Sequence, residues 1–223
     1  MMVKIFLIGI LCFLSVSCKD NNSDRPKQQE AEQKKEAKKD KTMIFFGDSL
    51  TAGYGLDEPS LAFPGLIQAR LDSAGLGYQV VNAGVSGETS SGGVERIDWV
   101  LSKPVDVFIL ELGANDGLRG IPIESTTKNL QSIIDKVKAK NDKARIILAG
   151  MQVPPNMGQH YSTSFKNMFI EIAKKNNIEL IPFLLEGVGG EAKFNQADGI
   201  HPTAEGHKIV ANNVWPYILK VIG

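Results

Sequence analysis

Hydrophobic positions from residue 43 onward fall into short apolar runs that alternate with longer stretches of helical spacing. The apolar runs predict strands at residues 43–46, 79–82, 105–111, 145–151 and 179–181. Apolar residues three and four apart predict helices at residues 63–74, 92–101, 126–139, 162–175 and 204–221. Strands that alternate with helices are typical of a parallel sheet covered on both faces. We therefore predict an α/β fold, a three-layer, doubly wound sheet of five parallel strands in the flavodoxin-like order.

The amino-terminal segment has the pattern of an export signal. Lys4 supplies a positive charge, and residues 5–14 form an apolar run too short to span a bilayer comfortably. The run leads into Leu-Ser-Val-Ser-Cys at residues 14–18, which resembles a bacterial lipobox with its leucine one place early. We expect residues 1–17 to be a lipoprotein signal peptide and Cys18 to carry the lipid. The alternative is a simple secretory signal with an incidental cysteine.

A polar segment separates this signal from the first predicted strand. Residues 19–42 are rich in Lys, Glu, Gln and Asn and lack apolar periodicity, so they cannot bury enough surface to offset chain entropy. We expect residues 18–42 to be the lipidated cysteine and a disordered tether, and residues 43–223 to form one catalytic domain. Such a chain would be held in the bacterial cell envelope, bound to a membrane and facing the periplasm or the cell surface.

Composition excludes several classes of partner. Lysine and arginine number 25 and acidic residues 25, so no global positive field favours nucleic acid. The only cysteine besides Cys18 is Cys12, which lies in the segment to be removed, so the mature body offers no disulfide or thiolate site. No metal site is expected, because the sequence has no His-Glu-x-x-His motif and no carboxylate-rich loop.

Polar residues follow the first and third predicted strands. Ligands of doubly wound sheets bind beyond the carboxyl ends of the strands, so chemistry is expected there. Gly47, Asp48 and Ser49 follow the first strand, and Asn115 follows the third. Gly47 permits a tight turn that would expose the Ser49 hydroxyl above the sheet. Alternatively, Asp48 and Ser49 cap a helix and Asn115 only shapes a turn.

A second candidate cluster precedes the last predicted helix. Asp198 and His201 lie three residues apart, and Pro202 suits a first helical position, which leaves the His201 ring free. Asp198 can then hold one ring nitrogen while the other faces outward, as a serine hydrolase base requires. The alternative is that Asp198 caps the turn and His201 packs. The other histidines are weaker candidates, since His160 falls in a predicted loop and His207 in the last helix.

Together these segments resemble the sequence blocks of SGNH hydrolases, also called the GDSL family. The blocks are Gly-Asp-Ser-Leu at 47–50, a glycine in the second block, Gly-Ala-Asn-Asp at 113–116 and Asp-Gly-Ile-His at 198–201. Residues 81–90, 111–120 and 198–202 look like the branch of bacterial periplasmic acyl thioesterases, lysophospholipases and arylesterases. The matches occur in the family's order and cover nearly all of residues 43–221.

The resemblance implies a serine esterase that works through an acyl-enzyme and needs no cofactor. It implies Ser49 as nucleophile, His201 as base and Asp198 as the residue that orients the base. It places the oxyanion hole at the Ser49 and Gly87 amides and the Asn115 side chain. The expected partner is a small-molecule acyl ester, and we expect a monomer.

Two loops are candidates for an acyl groove. The apolar residues of 118–122 follow Asn115, and those of 153–158 follow the fourth strand, so both loops should flank the acyl site. The alternative is that these residues merely pack down. Two other functions remain open at this point: a carbohydrate O-acetyl esterase, and a binding lipoprotein that has lost turnover.

Overall fold

The computed structural model describes residues 39–223, in which five strands form one parallel sheet. The strands are β1 (Lys41–Gly47), β2 (Tyr78–Gly84), β3 (Val107–Glu111), β4 (Arg145–Ala149) and β5 (Glu179–Ile181). Their order across the sheet is β2-β1-β3-β4-β5. This is the flavodoxin-like order, so the predicted fold class is confirmed.

Helices connect the strands and cover the sheet. The α-helices of the described residues are α1 (Ser49–Ala52), α2 (Phe63–Ser73), α3 (Ser90–Val100), α4 (Ala114–Leu118), α5 (Ile123–Lys140), α6 (Gln159–Asn176) and α7 (Ala204–Ile222). Short 3-10 turns occupy Pro59–Leu61, Pro155–Met157 and Ala192–Phe194. No helix between residues 39 and 223 is both long and apolar enough to cross a bilayer.

The core centres on β1 and β3, two of the three strands that have a neighbouring strand on both sides. Every residue of β3 is buried, and so are the last five residues of β1. The Phe46 and Phe108 rings pack with centroids 5.6 Å apart. A strand with helices on both faces must be apolar on both faces, which explains its unbroken hydrophobic run.

The register of the central strands brings three chain exits together. Gly47 at the end of β1 pairs with Gly84 at the end of β2 and with Glu111 at the end of β3. The loops that follow these strands therefore leave the sheet side by side at its carboxyl edge. These loops carry Ser49, Gly87 and Asn115.

Several boundaries differ from the sequence prediction. Strand β1 begins at Lys41, inside the predicted tether, and β3 begins at Val107 rather than at residue 105. The Val105 amide instead binds the Asn141 side chain, which closes the turn before the strand. His160 lies in the first turn of α6, not in a loop as predicted. The predicted signal peptide, Cys18 and most of the tether lie outside the described residues.

Candidate active site

The turn after β1 presents Ser49 as the first residue of the one-turn helix α1. The Asp48 side chain accepts a hydrogen bond of 3.0 Å from the Leu50 amide, so Asp48 does cap the helix. The capping role of Asp48 therefore does not exclude Ser49 as a candidate nucleophile. Ser49 is 8% exposed. Its amide belongs to the first turn of α1, where N–H groups have no carbonyl partner within the helix.

Ser49, His201 and Asp198 form a continuous hydrogen-bonded chain. The Ser49 Oγ lies 3.0 Å from His201 Nε2, although the two residues are 152 positions apart in the sequence. On the other side of the ring, His201 Nδ1 lies 2.6 Å from Asp198 Oδ2. If Nδ1 carries the proton that Asp198 accepts, Nε2 is free to accept the Ser49 hydroxyl proton.

The Asp198 turn combines both roles that the sequence left open. Asp198 Oδ1 accepts the amides of Ile200 and His201 at 2.9 and 3.0 Å, while Oδ2 holds the His201 ring. Gly199 turns the chain with φ of 72°, a conformation that favours glycine. The hydrogen bond to the His201 side chain, with the two backbone bonds, lowers the pKa of Asp198 to about 2. Asp198 is therefore a carboxylate throughout the neutral range.

Tyr54 and Gln196 support the histidine and were not predicted. The Tyr54 ring packs against the His201 ring with centroids 4.6 Å apart. The Gln196 side-chain amide donates to the carbonyls of Tyr54 and Pro202, at 2.7 and 3.1 Å. Gln196 thus ties the loop after Ser49 to the turn that carries His201. Tyr54 is half exposed in a Gly-Tyr-Gly segment, and an aromatic residue between two glycines was the available signal.

Asn115 is connected to the turn that carries Ser49 through Asp48. Its Nδ2 donates to Asp48 Oδ2 at 3.1 Å. Because an amide nitrogen has two N–H groups, the second remains for a substrate oxygen. Burial raises the pKa of Asp48 to about 6, against the opposing effect of its hydrogen bonds from Leu50 and Asn115.

Gly87 lies in a tight turn in the loop after β2. The Glu88 amide donates to the Val85 carbonyl at 3.1 Å, and Gly87 has φ of 79°, which is the conformation that a type II turn requires at its third position. Arg119, which follows α4, donates to the Gly87 carbonyl at 3.0 Å. The loops after β2 and β3 are therefore bridged next to Asn115.

A partly buried ion pair fixes the other side of the Gly87 turn. The Arg96 guanidinium from α3 is hydrogen-bonded to the Glu88 carboxylate and donates to the carbonyls of Gly47 and Ala83, at 3.2 and 2.9 Å. It also lies over the Phe46 ring, 3.9 Å from the centroid. A single side chain thus joins the ends of β1 and β2 to the predicted oxyanion turn.

Asp116, next to Asn115, serves the scaffold rather than the chemistry. Its carboxylate accepts the Ser90 amide at 2.8 Å and the Ser90 hydroxyl at 2.5 Å. The same group accepts the Thr126 hydroxyl at 3.2 Å. Asp116 therefore caps α3 and fixes α4 against it, which holds Asn115 in place.

Exposed apolar residues occur in the chain segments that carry the predicted site residues. Four of the large hydrophobic residues that remain exposed come from the loops that carry the predicted site residues; they are Tyr54, Val85, Leu118 and Ile200. We call these four the apolar collar. Val153, by contrast, is buried and packs against Gly117, so this predicted groove residue belongs to the core. The described residues contain no group of three or more His, Cys, Asp or Glu side chains able to hold a metal.

Comparison with known proteins identifies close relatives of the chain. Residues 45–209 match the model of the GDSL-like lipase/acylhydrolase family. Esterase TesA of Pseudomonas aeruginosa is 42% identical over 183 residues, covering 81% of this chain and 89% of the relative. Thioesterase 1/protease 1/lysophospholipase L1 of Escherichia coli strain K12 is 36% identical and covers 77% of this chain and 80% of the relative. A crystal structure of TesA matches with a TM-score of 0.78 and 39% identity, covering 81% of this chain and 99% of that one.

Proposed function

The chain belongs to the GDSL-like lipase/acylhydrolase family and is a serine esterase acting on carboxylic esters, and from that premise we propose that Ser49 is its nucleophile. His201 is the base, and Asp198 orients the base. The observation that supports these roles is the chain of contacts from Ser49 Oγ to His201 Nε2, at 3.0 Å, and from His201 Nδ1 to Asp198 Oδ2, at 2.6 Å.

The proposed reaction has two halves. His201 Nε2 takes the Ser49 proton as the Ser49 oxygen bonds to the ester carbonyl carbon. The carbon–oxygen bond to the alcohol then breaks, the alcohol takes the proton from His201, and an acyl-enzyme remains. Water attacks the acyl carbon while giving a proton to His201, and the acid leaves as the proton returns to Ser49.

The negative charge that develops on the carbonyl oxygen needs donors fixed in advance. We assign this role to the amides of Ser49 and Gly87 and to the second N–H of Asn115 Nδ2. Two contacts support the assignment. The Asp48 carboxylate accepts a hydrogen bond from Asn115, and the Arg119 side chain donates to the Gly87 carbonyl.

Replacement of the nucleophile tests the proposed roles. Ser49→Ala should lower kcat on an aryl ester by more than about 10⁴, while its melting curve matches the parent. Ser125→Ala, at an exposed position of α5, is the matched control and should keep full activity. Hydrolysis that persists in Ser49→Ala at a tenth of the parent rate would assign the nucleophile elsewhere.

We assign to this site esters or thioesters with an apolar acyl or aryl group. The apolar collar supports this choice, because each chain segment that carries a proposed site residue also carries an exposed apolar side chain. Each methylene buried in such a site is worth roughly 0.8 kcal/mol, or about fourfold in kcat/KM. A panel of aryl esters from acetate to octanoate should show that rise. Preference for acetylated sugars over every aryl ester would instead favour a carbohydrate O-acetyl esterase.

The proposed location is the bacterial cell envelope, through a lipid on Cys18. The support is the sequence, in which an apolar run and small residues precede Cys18 and a polar segment follows it. Cys18→Ser should leave the protein unprocessed or soluble. Cys12→Ser is the matched control and should partition into the membrane fraction as the parent does. Membrane partitioning that is unchanged in Cys18→Ser would count against the lipid.

A further inference from the structure

Glu111 is a buried carboxyl group that the esterase mechanism does not use. It is the last residue of the central strand β3, and its side chain has no exposure to solvent. Every other residue of β3 is apolar. A buried ionisable group in a core strand is expensive unless its contacts require it.

One oxygen of Glu111 holds both ends of the nucleophile turn. Glu111 Oε2 accepts the Asp48 amide at 3.1 Å and the Thr51 hydroxyl at 2.7 Å. Asp48 precedes Ser49 and Thr51 follows it by two positions, so Ser49 lies between the two bonded residues. The other oxygen, Oε1, has no hydrogen-bond partner within residues 39–223.

The backbone packs closely against this carboxyl. A Cβ atom at Gly47 would lie 2.3 Å from Glu111 Oε2 and 2.2 Å from Thr51 Oγ1. Any side chain at Gly47 would therefore displace Glu111 from the turn. This close contact, as well as the turn itself, requires a glycine at position 47.

The surroundings favour the uncharged form of the group. Burial, and secondly the nearby Asp48 carboxylate, raise the pKa of Glu111 well above its usual range. Besides Asp48, two ionisable side chains contact residues at this end of the sheet: Arg96 donates to the Gly47 carbonyl, and His201 contacts Ser49. Arg96 donates to Glu88 and to backbone carbonyls, and His201 contacts Ser49 and Asp198. Neither has a hydrogen bond to Glu111 among the described contacts.

We infer that Glu111 is a positioning residue that clamps the nucleophile turn as an uncharged carboxylic acid. Oε2 is the carbonyl oxygen that accepts both bonds, and Oε1 carries the proton. The clamp extends to the oxyanion hole, because Asp48, held by Glu111 through its amide, accepts Asn115 through its side chain. The inference rests on the proposed role of Ser49.

Three variants separate the clamp from a general structural role. Glu111→Gln keeps an acceptor oxygen in the same place but cannot ionise, whereas Glu111→Leu has the same size and no acceptor. Displacement of reacting groups by about 1 Å costs on the order of 100-fold, so Glu111→Leu should lower kcat by roughly 10- to 100-fold with little change in KM. Glu111→Gln should restore kcat to within about threefold of the parent. Thr51→Val, which removes one of the two donors, should fall between them.

The controls distinguish loss of positioning from loss of folded protein. Ile147→Ala, in the buried strand β4, lowers stability away from the turn and should leave kcat per folded molecule unchanged. Equal losses of kcat in Glu111→Gln and Glu111→Leu would overturn the inference, since the ionised form would then be required. An unchanged kcat in Glu111→Leu would overturn it as well. If Glu111→Leu does not fold, Glu111→Gln and Thr51→Val still decide.

A direct titration reads the protonation state without relying on catalysis. The ¹³C carboxyl signal of Glu111, assigned by its loss in Glu111→Gln, should still be that of a protonated acid at a pH where an ordinary glutamate is ionised. A titration midpoint at the usual value for glutamate would contradict the uncharged clamp. The titration can be done in Ser49→Ala, so its outcome does not depend on Ser49 being the nucleophile.

Discussion

The Ser49 turn and the His201 turn meet at the hydrogen bond between Ser49 and His201, but they are held in opposite ways. Asp48 is fully buried, and the bonds that fix its turn come from Glu111 and Asn115, more than 60 positions away. The Asp198 side chain is 38% exposed, and its bonds fall within residues 198–201. The proposed nucleophile is thus positioned by the core of the sheet, and the proposed base by its own turn.

This difference predicts which substitutions lower kcat alone and which also lower the free energy of unfolding. Changes in the His201 turn remove few buried contacts and should act mainly on kcat. Changes around Ser49 leave buried donors or acceptors unpaired and should act on kcat and on the free energy of unfolding together. The predictions below test that division, beginning with the largest effect.

Asp198→Asn should lower kcat by roughly 10²–10⁴ and leave the melting temperature nearly unchanged. The amide oxygen can still accept the backbone bonds of the turn, but its NH₂ group favours the wrong His201 tautomer. Steady-state kinetics with parallel melting curves measure both effects. A loss of kcat below about tenfold would reduce Asp198 to a structural cap.

Asn115→Ala should lower kcat by roughly 10²–10³ with little change in KM, because an oxyanion donor acts more strongly in the transition state than on the ground-state ester. In contrast to Asp198→Asn, it should also lower the melting temperature, because the buried Asp48 carboxylate loses a donor. If Asn115 only shapes its loop, KM should rise while kcat at saturating ester stays intact.

His207 joins α7 to α2 and should make stability depend on pH. From α7, its Nδ1 accepts the Phe63 amide of α2 at 3.1 Å. Burial lowers the pKa of His207 from 6.5 to about 4. Between these values only the unfolded chain takes up the proton, so the stability is complete above pH 6.5 and falls as the pH drops toward 4. A shift of this size corresponds to a loss of about 3 kcal/mol.

His207→Asn gives the matched measurement for this prediction. Its side-chain oxygen can accept the Phe63 amide but does not titrate. Denaturant unfolding of the parent and the variant from pH 7 to pH 4 should therefore give curves that diverge as the pH falls. Parallel curves across that range would show that His207 does not titrate differently in the two states.

Tyr54→Ala should have the smallest effect, a fall in kcat/KM of roughly three- to tenfold, because it removes one aromatic contact from the partly buried His201 ring. Tyr54→Phe keeps the ring and should match the parent on aryl esters. If Tyr54→Ala lowers the melting temperature and Asp198→Asn does not, the Tyr54 ring contributes to stability. That result would contradict the expectation that contacts of the His201 turn act mainly on kcat.

The fold and the residues of the catalytic contact could be predicted from the sequence because their signals are local. Apolar runs identified the five strands, and the strand order followed from the fold class. Asp198 and His201 were found because three residues of one turn separate them. Ser49 was a weak signal alone, and its importance came from resemblance to a family.

The support for the nucleophile could not be predicted, because it depends on which strand ends lie side by side. Glu111 pairs with Gly47 only through the sheet register. Gln196 and Tyr54 meet across 142 positions of sequence. Glu111 ends the apolar run of β3 and begins the segment 111–120 that resembles the family, but neither feature predicts its contact with the turn after β1. The pattern also placed His160 in a loop, although α6 begins one residue before it.

Covalent labelling of Ser49 tests the central claim most directly. An aryl fluorophosphonate reacts with a serine only where a base activates it and oxyanion donors receive the charge. We predict one adduct per chain, which peptide mapping places on Ser49, and a labelling rate that falls in Asp198→Asn and in Asn115→Ala. An adduct on another residue, or labelling that persists in Ser49→Ala, would contradict the account.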